Sequence, residues 1–329
     1  MPRRLATHAN SWYVADPRKL DAQLNAWITA VKADECGMTK LPIPNARVIM
    51  APHAGYSYSG ATAGFSYAAW DLSKATRIFI LGPAHHVYIN GCSISGCNAF
   101  DTPLGELLPD SEVLQKLEDT GKFSRITLKA DEDEHSIEMH LPFIFKAIEF
   151  AEKFPKDVKI VPIIVGSITT TQEKTYGALL KPYLEDPQNA FVISTDFCHW
   201  GPRFSYTGYF PELPSHDNPN AELVFLNETG HQVIKHPLYK SIRALDHQGM
   251  SAISTGKHSE FAAYLEKTRN TVCGRHPIGV IMAAAELMFG ENKGSSFGRF
   301  RYLNYAQSEE LNDINGSSVS YVSGFMEMP

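Results

Sequence analysis

Short apolar runs with almost no polar alternation recur along this chain, separated by longer amphipathic stretches. Ala46–Ala51, Ile78–Leu81, Val158–Val165 and Ala190–Thr195 are built mainly from Val, Ile, Leu, Met and Phe. Runs of this kind suit strands covered on both faces, as in a parallel sheet. The intervening stretches predict helices. Asp16-Pro17 reads as an N-cap followed by proline at the first helical position, and Leu20, Leu24, Trp27, Ile28 and Val31 then form one apolar stripe. Further helices are predicted over residues 61–70, 111–119, 131–154, 169–184, 238–254, 258–268 and 276–289, with two final strands near 297–305 and 318–327. Residues 55–60 read as a loop, 87–110 as short pieces with a hairpin, and 208–237 as a surface excursion rich in Pro, Asn and His. Strands alternating with helices give an α/β fold, a mixed and mostly parallel central sheet with helices on both faces. No internal repeat and no shift of composition divides the chain, so residues 1–329 are expected as a single domain.

Three of the apolar runs end in polar clusters. Ala51 leads into Pro52-His53-Ala54-Gly55, Leu81 into Gly-Pro-Ala-His85-His86, and Thr195 into Asp196-Phe-Cys198-His199-Trp200. Ligand sites of open α/β sheets lie beyond the carboxyl ends of the strands, so three such ends imply one shared site. His53 and His85 are then either ligands of a metal half-site or histidines satisfied by hydrogen bonds. His86 is the weaker candidate, because adjacent side chains on an extended chain point opposite ways. Asp196 and His199 form either an acid/base pair or a capping aspartate with a structural histidine. Cys273 stands just before the helix that Pro277 opens, where the helix dipole and Arg275 favour a thiolate. The alternative is a buried inert thiol. His276 is a candidate base for it. Glu134, His135, Glu138 and His140 either line the pocket or form an exposed acidic turn, and the H-E-x-x-H spacing of zinc proteases is absent.

Composition narrows the function. A formal net charge of −6 argues against a general affinity for nucleic acid or anionic membrane. No apolar run approaches the roughly 20 residues that span a bilayer, and no signal peptide is read at the N-terminus. Five cysteines without a C-x-x-C pair fit reduced thiols in cytoplasm or nucleus. No P-loop, G-x-G-x-x-G or G-x-S-x-G is present.

The chain resembles the Memo family, named as mediators of receptor-kinase-driven cell motility. The resemblance rests on His8-Ala-Asn-Ser-Trp12-Tyr13, Ala51-Pro-His-Ala-Gly-Tyr56, Ile78-Phe-Ile-Leu-Gly-Pro-Ala-His-His86 and Asp131-Glu-Asp-Glu-His-Ser-Ile-Glu-Met-His-Leu-Pro142. It continues through Ser194-Thr-Asp-Phe-Cys-His-Trp-Gly201, Cys273-Gly-Arg-His-Pro-Ile-Gly279, Leu303–Ser308 and Ser317–Tyr321, and departs at Gly316, where an acidic residue is expected. It implies a fold like that of the class III extradiol dioxygenases, and a pocket in which His53, His85 and Cys273 ligate copper or iron. His199, Asp196 and His135 are expected in catalytic roles. His199 would hydrogen-bond oxygen or shuttle a proton, and Asp196 would orient His199 or a water. Trp12, Glu134, His86, Arg275 and His276 are expected along the pocket wall.

Ring-cleaving relatives hold iron with two histidines and a carboxylate. A soft thiolate in third place makes ring cleavage a poor expectation, since fold does not fix function. The expected activity is metal-dependent oxidoreduction that turns O₂ into reactive oxygen species in cell-motility signalling. The resemblance also implies an alternative, a module that captures a phosphotyrosine or acidic peptide in the same pocket. A thiol hydrolase using Cys273 is a third reading.

Overall fold

Each apolar run becomes a strand whose alternate side chains enter two different cores. The computed structural model describes residues 2–215, 218, 221–229, 233–290 and 296–329. In the first half the strands are β1 (Arg3–Arg4), β2 (Val48–Ala51), β3 (Arg77–Pro83), β4 (Cys92–Ile94), β5 (Ala99–Thr102), β6 (Gly105–Pro109) and β7 (Phe123–Arg125). Their helices are α1 (Pro17–Thr29), α2 (Tyr56–Ala69), α3 (Ser111–Asp119), α4 (Leu128–Asp133), α5 (His135–Glu138) and α6 (Leu141–Phe150). In the second half come β8 (Lys159–Val165), β9 (Asn189–Ser194), β10 (His199–Trp200), β11 (Gly208–Tyr209), β12 (Val224–Phe225), β13 (Phe300–Gln307) and β14 (Ser318–Met326). The helices there are α7 (Thr170–Glu185), α8 (Leu226–Thr229), α9 (Leu238–Ser254), α10 (His258–Thr268) and α11 (Arg275–Phe289).

Among the described residues one twelve-stranded sheet runs β1-β5-β6-β8-β3-β9-β2-β14-β10, with β13 on β14 and β4 between β7 and β8. Its centre, β8-β3-β9-β2, is parallel, and the flanks mix directions. Val48, Met50, Phe79, Leu81, Phe191 and Ile193 face a core closed by α3, α7, α9, α10 and α11. Ile49, Ala51, Ile78, Ile80, Ala190 and Val192 face a second core closed by α1, α2 and α6. The expected α/β fold with helices on both faces is the observed one.

Local departures have local causes. Residues 55–60, expected as a loop, are mostly the first turn of α2, which starts at Tyr56. The Gly60 position lies against the Trp27 ring, where a Cβ would stand 2.4 Å from ring carbons, so glycine here admits a helix–helix contact. The single helix expected over 131–154 is three helices. Glu134 leaves helical geometry (φ −84°, ψ 123°) to cap α5 through the Ser136 N–H, and Pro142 restarts the chain in the first turn of α6. The excursion at 208–237 is anchored more deeply than expected, with Tyr209, Phe210, Ala221 and Leu226 buried; residues 216, 217, 219, 220 and 230–232 within it lie outside the described residues.

The N-terminal segment is tied down by charge. Arg4 is fully buried and donates from Nη1 to Glu138 Oε2 at 2.8 Å and from Nε to Asp131 Oδ1 at 3.1 Å. Glu138 also accepts from the Tyr13 hydroxyl at 2.8 Å and the His8 backbone N–H at 2.9 Å, and its Oε2 pairs with His8 Nδ1 at 2.9 Å. Burial alone would raise the Glu138 pKa, but the hydrogen bond with His8 and the Arg4 guanidinium lower it from 4.5 to about 2. A carboxylate held below its unfolded value stabilises the fold fully above that value, and the contribution is lost as pH falls through the folded value. Glu138→Gln is expected to cost roughly 3 kcal/mol near neutral pH, because it removes one partner of a buried ion pair. The difference from the parent should shrink between pH 4.5 and about 2, read by urea denaturation at stepped pH. A difference that does not change with pH would contradict this assignment.

Candidate metal centre

Strands β3, β9 and β2 lie side by side in parallel, with Leu81 opposite Ile193 and Ala51 opposite Ser194. Their carboxyl ends therefore deliver His85, Asp196 and His53 to one edge of the sheet. Cys273 arrives from elsewhere, on the turn before α11. Gly274 makes that approach possible: a Cβ there would lie 2.3 Å from Thr195 Cβ and 2.5 Å from the Ser194 carbonyl oxygen. Its N–H instead donates to Thr195 Oγ1 at 3.1 Å. The turn sets Cys273 Sγ 3.3 Å from His53 Nε2, where it also accepts the Asp196 backbone N–H at 3.1 Å.

Hydrogen bonds fix which nitrogen of His53 is free. Ser194 Oγ donates its one proton to the Ser136 carbonyl at 2.7 Å, so the contact at 2.6 Å with His53 Nδ1 must be an imidazole N–H donating to the hydroxyl. Nε2 is left with a lone pair facing Cys273. His85 is held in the same way by Glu134, which takes Nδ1 at 2.9 Å and the His85 backbone N–H at 2.6 Å. Carboxylate or hydroxyl partners on the distal nitrogen are what orient metal-ligating imidazoles.

Burial and partners give the histidines different charges. His53 is driven well below its ordinary pKa by burial and by the neighbouring imidazoles, His85 foremost. His135 is lowered to about 3, again by burial first and His85 second. Burial would also lower His85, but its hydrogen bonds with Cys273 and Glu134 raise it to about 10. The positive charge of the cluster thus falls on His85, while His53 and His135 are neutral. Asp196 is raised to about 7 by burial, against the opposing His53 N–H.

The acidic turn contributes to the same pocket. His135 is buried, stacks on His85 with ring centroids 4.5 Å apart, and meets the tilted Trp12 ring at 4.4 Å. His86 is exposed and edge-on to His135 at 5.7 Å. His53, His85 and His135 each offer a ligand atom within 4.8 Å of the other two, and this group could hold a metal ion. His140, from the same motif, is instead buried against the Tyr67 hydroxyl.

Two expected relations are replaced by others. His276 does not pair with Cys273: its Nδ1 contacts Glu173 Oε1 at 2.6 Å, and Glu173 Oε2 contacts His258 Nε2 at 2.6 Å. One helical step from the cysteine carries that ring to α7, and His53 occupies the place beside the sulfur. Asp196 does not orient His199 either. Asp196 Oδ1 accepts the His53 backbone N–H at 3.0 Å, whereas His199 Nδ1 meets the carbonyls of Phe197 and Thr271 at 2.9 and 3.1 Å. Those carbonyls can only accept, so Nδ1 carries the proton and Nε2 is left free. Arg275 is exposed on the first turn of α11.

Sequence reasoning passed over Ser194 and Thr271. Ser194 had a visible signal, a hydroxyl closing an otherwise apolar run at the strand end. Thr271 had none, since only folding sets its Oγ1 2.8 Å from the His199 N–H.

Residues 4–325 match the family described as Memo-like protein. Protein MEMO1 of Xenopus laevis is 43% identical over 321 residues, which cover 98% of this chain and 96% of that protein. The chain belongs to the Memo family. Protein MEMO1 of Homo sapiens is 42% identical with the same coverage. Among solved structures, an uncharacterized protein of Escherichia coli K12 matches with a TM-score of 0.42 and 13% identity, covering 85% of this chain and 98% of that one. That likeness carries no weight for the pocket. In this Memo-family chain no described helix is long and apolar enough to cross a membrane.

The Ser194 relay has a direct spectroscopic consequence. Nitrogen NMR of the imidazoles should find His53 protonated at Nδ1 and bare at Nε2. Ser194→Ala should shift the population toward the Nε2–H tautomer. An unchanged tautomer in the variant would show that Ser194 does not set it.

Proposed function

We propose that this Memo-family protein binds copper or iron at His53, His85 and Cys273 and uses the ion to pass electrons to O₂. The observation that carries the reading is the pair of committed Nδ1 atoms. Ser194 and Glu134 each take one ring nitrogen of an imidazole and leave the other nitrogen for a ligand, with a sulfur 3.3 Å from one of them. Two imidazoles and a thiolate suit copper or a redox-active iron better than a hard cation. A bound ion would supply one-electron transfer from a thiol-class reductant to O₂: two thiols would be oxidised to one disulfide, and the two electrons and two protons they release would reduce one O₂ to hydrogen peroxide. The residues around it have separate tasks. Asp196 fixes the His53 backbone, His199 presents Nε2 toward the cleft as a proton carrier, and Trp12 with His135 walls the entrance. In the signalling role that the family suggests, the oxidant would be the message.

Cys273→Ser is expected to lower the affinity for copper(I) by more than about tenfold, measured by competition with a chromogenic chelator, and to stop oxygen consumption in the presence of thiol. Unchanged affinity would refute the ligand assignment. Affinity should also rise with pH. His85, raised to about 10, must give up its proton to ligate, so each unit of pH below that value is worth up to about tenfold.

A second reading is favoured by one feature, the flat Trp12–His135–His85 stack with the proton on His85. It suits an aromatic anion such as a phosphotyrosine side chain. Titration with a phosphotyrosine peptide, with and without chelator, separates the two readings: metal-independent binding without oxygen consumption would favour the module.

A further inference from the structure

The two anchored histidines and the unanchored third one are unlike in a way that the proposed centre leaves unused. His53 and His85 each have Nδ1 committed to a hydrogen bond. His135 does not. Its Nδ1 is buried with no hydrogen-bond partner, and the nearest carboxylate oxygen, Glu134 Oε1, is 3.6 Å away. A buried polar atom left unpaired is destabilising, so something normally satisfies it. The ring is held by contacts with other rings rather than by hydrogen bonds, stacked on His85 at 22° and tilted to Trp12 at 34°. Reorienting it breaks no hydrogen bond of the ring.

We propose that His135 is an alternative third ligand to Cys273, so that one pocket offers two donor sets sharing His53 and His85. The inference rests on the metal reading above and says which ions each set takes. The sulfur set, with Cys273 next to His53, suits the soft copper(I) ion. The all-imidazole set suits a borderline divalent ion such as nickel(II) or copper(II). The three imidazoles already have ligand atoms within 4.8 Å of one another. Bonds of about 2.0–2.1 Å to one ion call for nitrogens roughly 3.4 Å apart, a closure of up to about 1.4 Å. Rotation of the unanchored His135 ring supplies that movement and places its orphaned nitrogen on the ion. Cys273 Sγ meets His53 at 3.3 Å and also bonds His85, whereas His135 stacks on His85, so both candidates for third ligand adjoin the shared pair.

The test uses the full chain as parent, His135→Phe and Cys273→Ser, titrated with copper(I) and with nickel(II) against chelators of known affinity. Phenylalanine keeps the stack and removes the nitrogens. His135→Phe should lower nickel(II) affinity about tenfold or more beyond any change in copper(I) affinity, while Cys273→Ser should do the reverse. A measurement on the unaltered protein needs no variant: nickel(II) should bind without a thiolate-to-metal charge-transfer band. Loss of nickel(II) binding in Cys273→Ser, or that band in the parent, would overturn the inference and leave the metal reading standing. Equal losses of both ions in both variants would mean one four-donor site and would overturn it too. A parent that binds neither ion would overturn the metal reading itself and this inference with it.

Discussion

Everything at the pocket depends on the parallel pairing of β3, β9 and β2. A parallel ladder brings equivalent ends of neighbouring strands to the same edge, so three separate turns open side by side. With Leu81 opposite Ile193 and Ala51 opposite Ser194, the next few residues of each chain segment share one small volume. A one-residue slip of β9 would send Ser194 to the other face and Ile193 into the pocket. The two-sided burial of these strands opposes that slip, because Val192 and Ile193 serve different cores.

The far wall rests on a second buried acid. Asp246 of α9 is fully buried, and its Oδ1 accepts from the Cys198 N–H and from Asn270 Nδ2, both at 3.1 Å, while Oδ2 accepts from the Tyr305 hydroxyl at 2.9 Å. One carboxylate thereby ties together the segment carrying His199, the segment leading to Cys273, and β13. Burial raises its pKa to about 6, against hydrogen bonds from Ser320, Asn270 and Tyr305 that hold it down. A buried acid with four partners is tolerable where an unpaired one would not be. Glu138 does the same work at the N-terminus, where it brings His8 and Tyr13 to α5 and so sets Trp12 against His135.

Electrostatics keeps this concentration of imidazoles compatible with folding. Several protonated rings within a few ångströms would repel strongly at low effective dielectric. Burial makes His53 and His135 neutral, and the ring that carries the positive charge is the one with a carboxylate on it, His85 with Glu134.

The sequence alone determined the scaffold. Strands buried on both faces must be apolar throughout, so β2, β3, β8 and β9 were legible as unbroken runs, and α3, α9 and α10 begin and end where their amphipathic patterns do. It also located the strand ends where polar residues gather, and the glycine-containing turn that bears Cys273. Tertiary structure decided what each polar side chain touches. His276 reads as a partner for Cys273 by proximity along the chain but sits on Glu173, and Asp196 reads as a partner for His199 but holds His53. The 131–154 stretch has a continuous helical pattern, yet it breaks at Glu134 so that the carboxylate can cap α5 and hold His85. Hydrophobic periodicity is a local property, readable within a window of residues. A hydrogen bond between side chains more than a hundred residues apart depends on where two elements finally pack, and no window of sequence contains that.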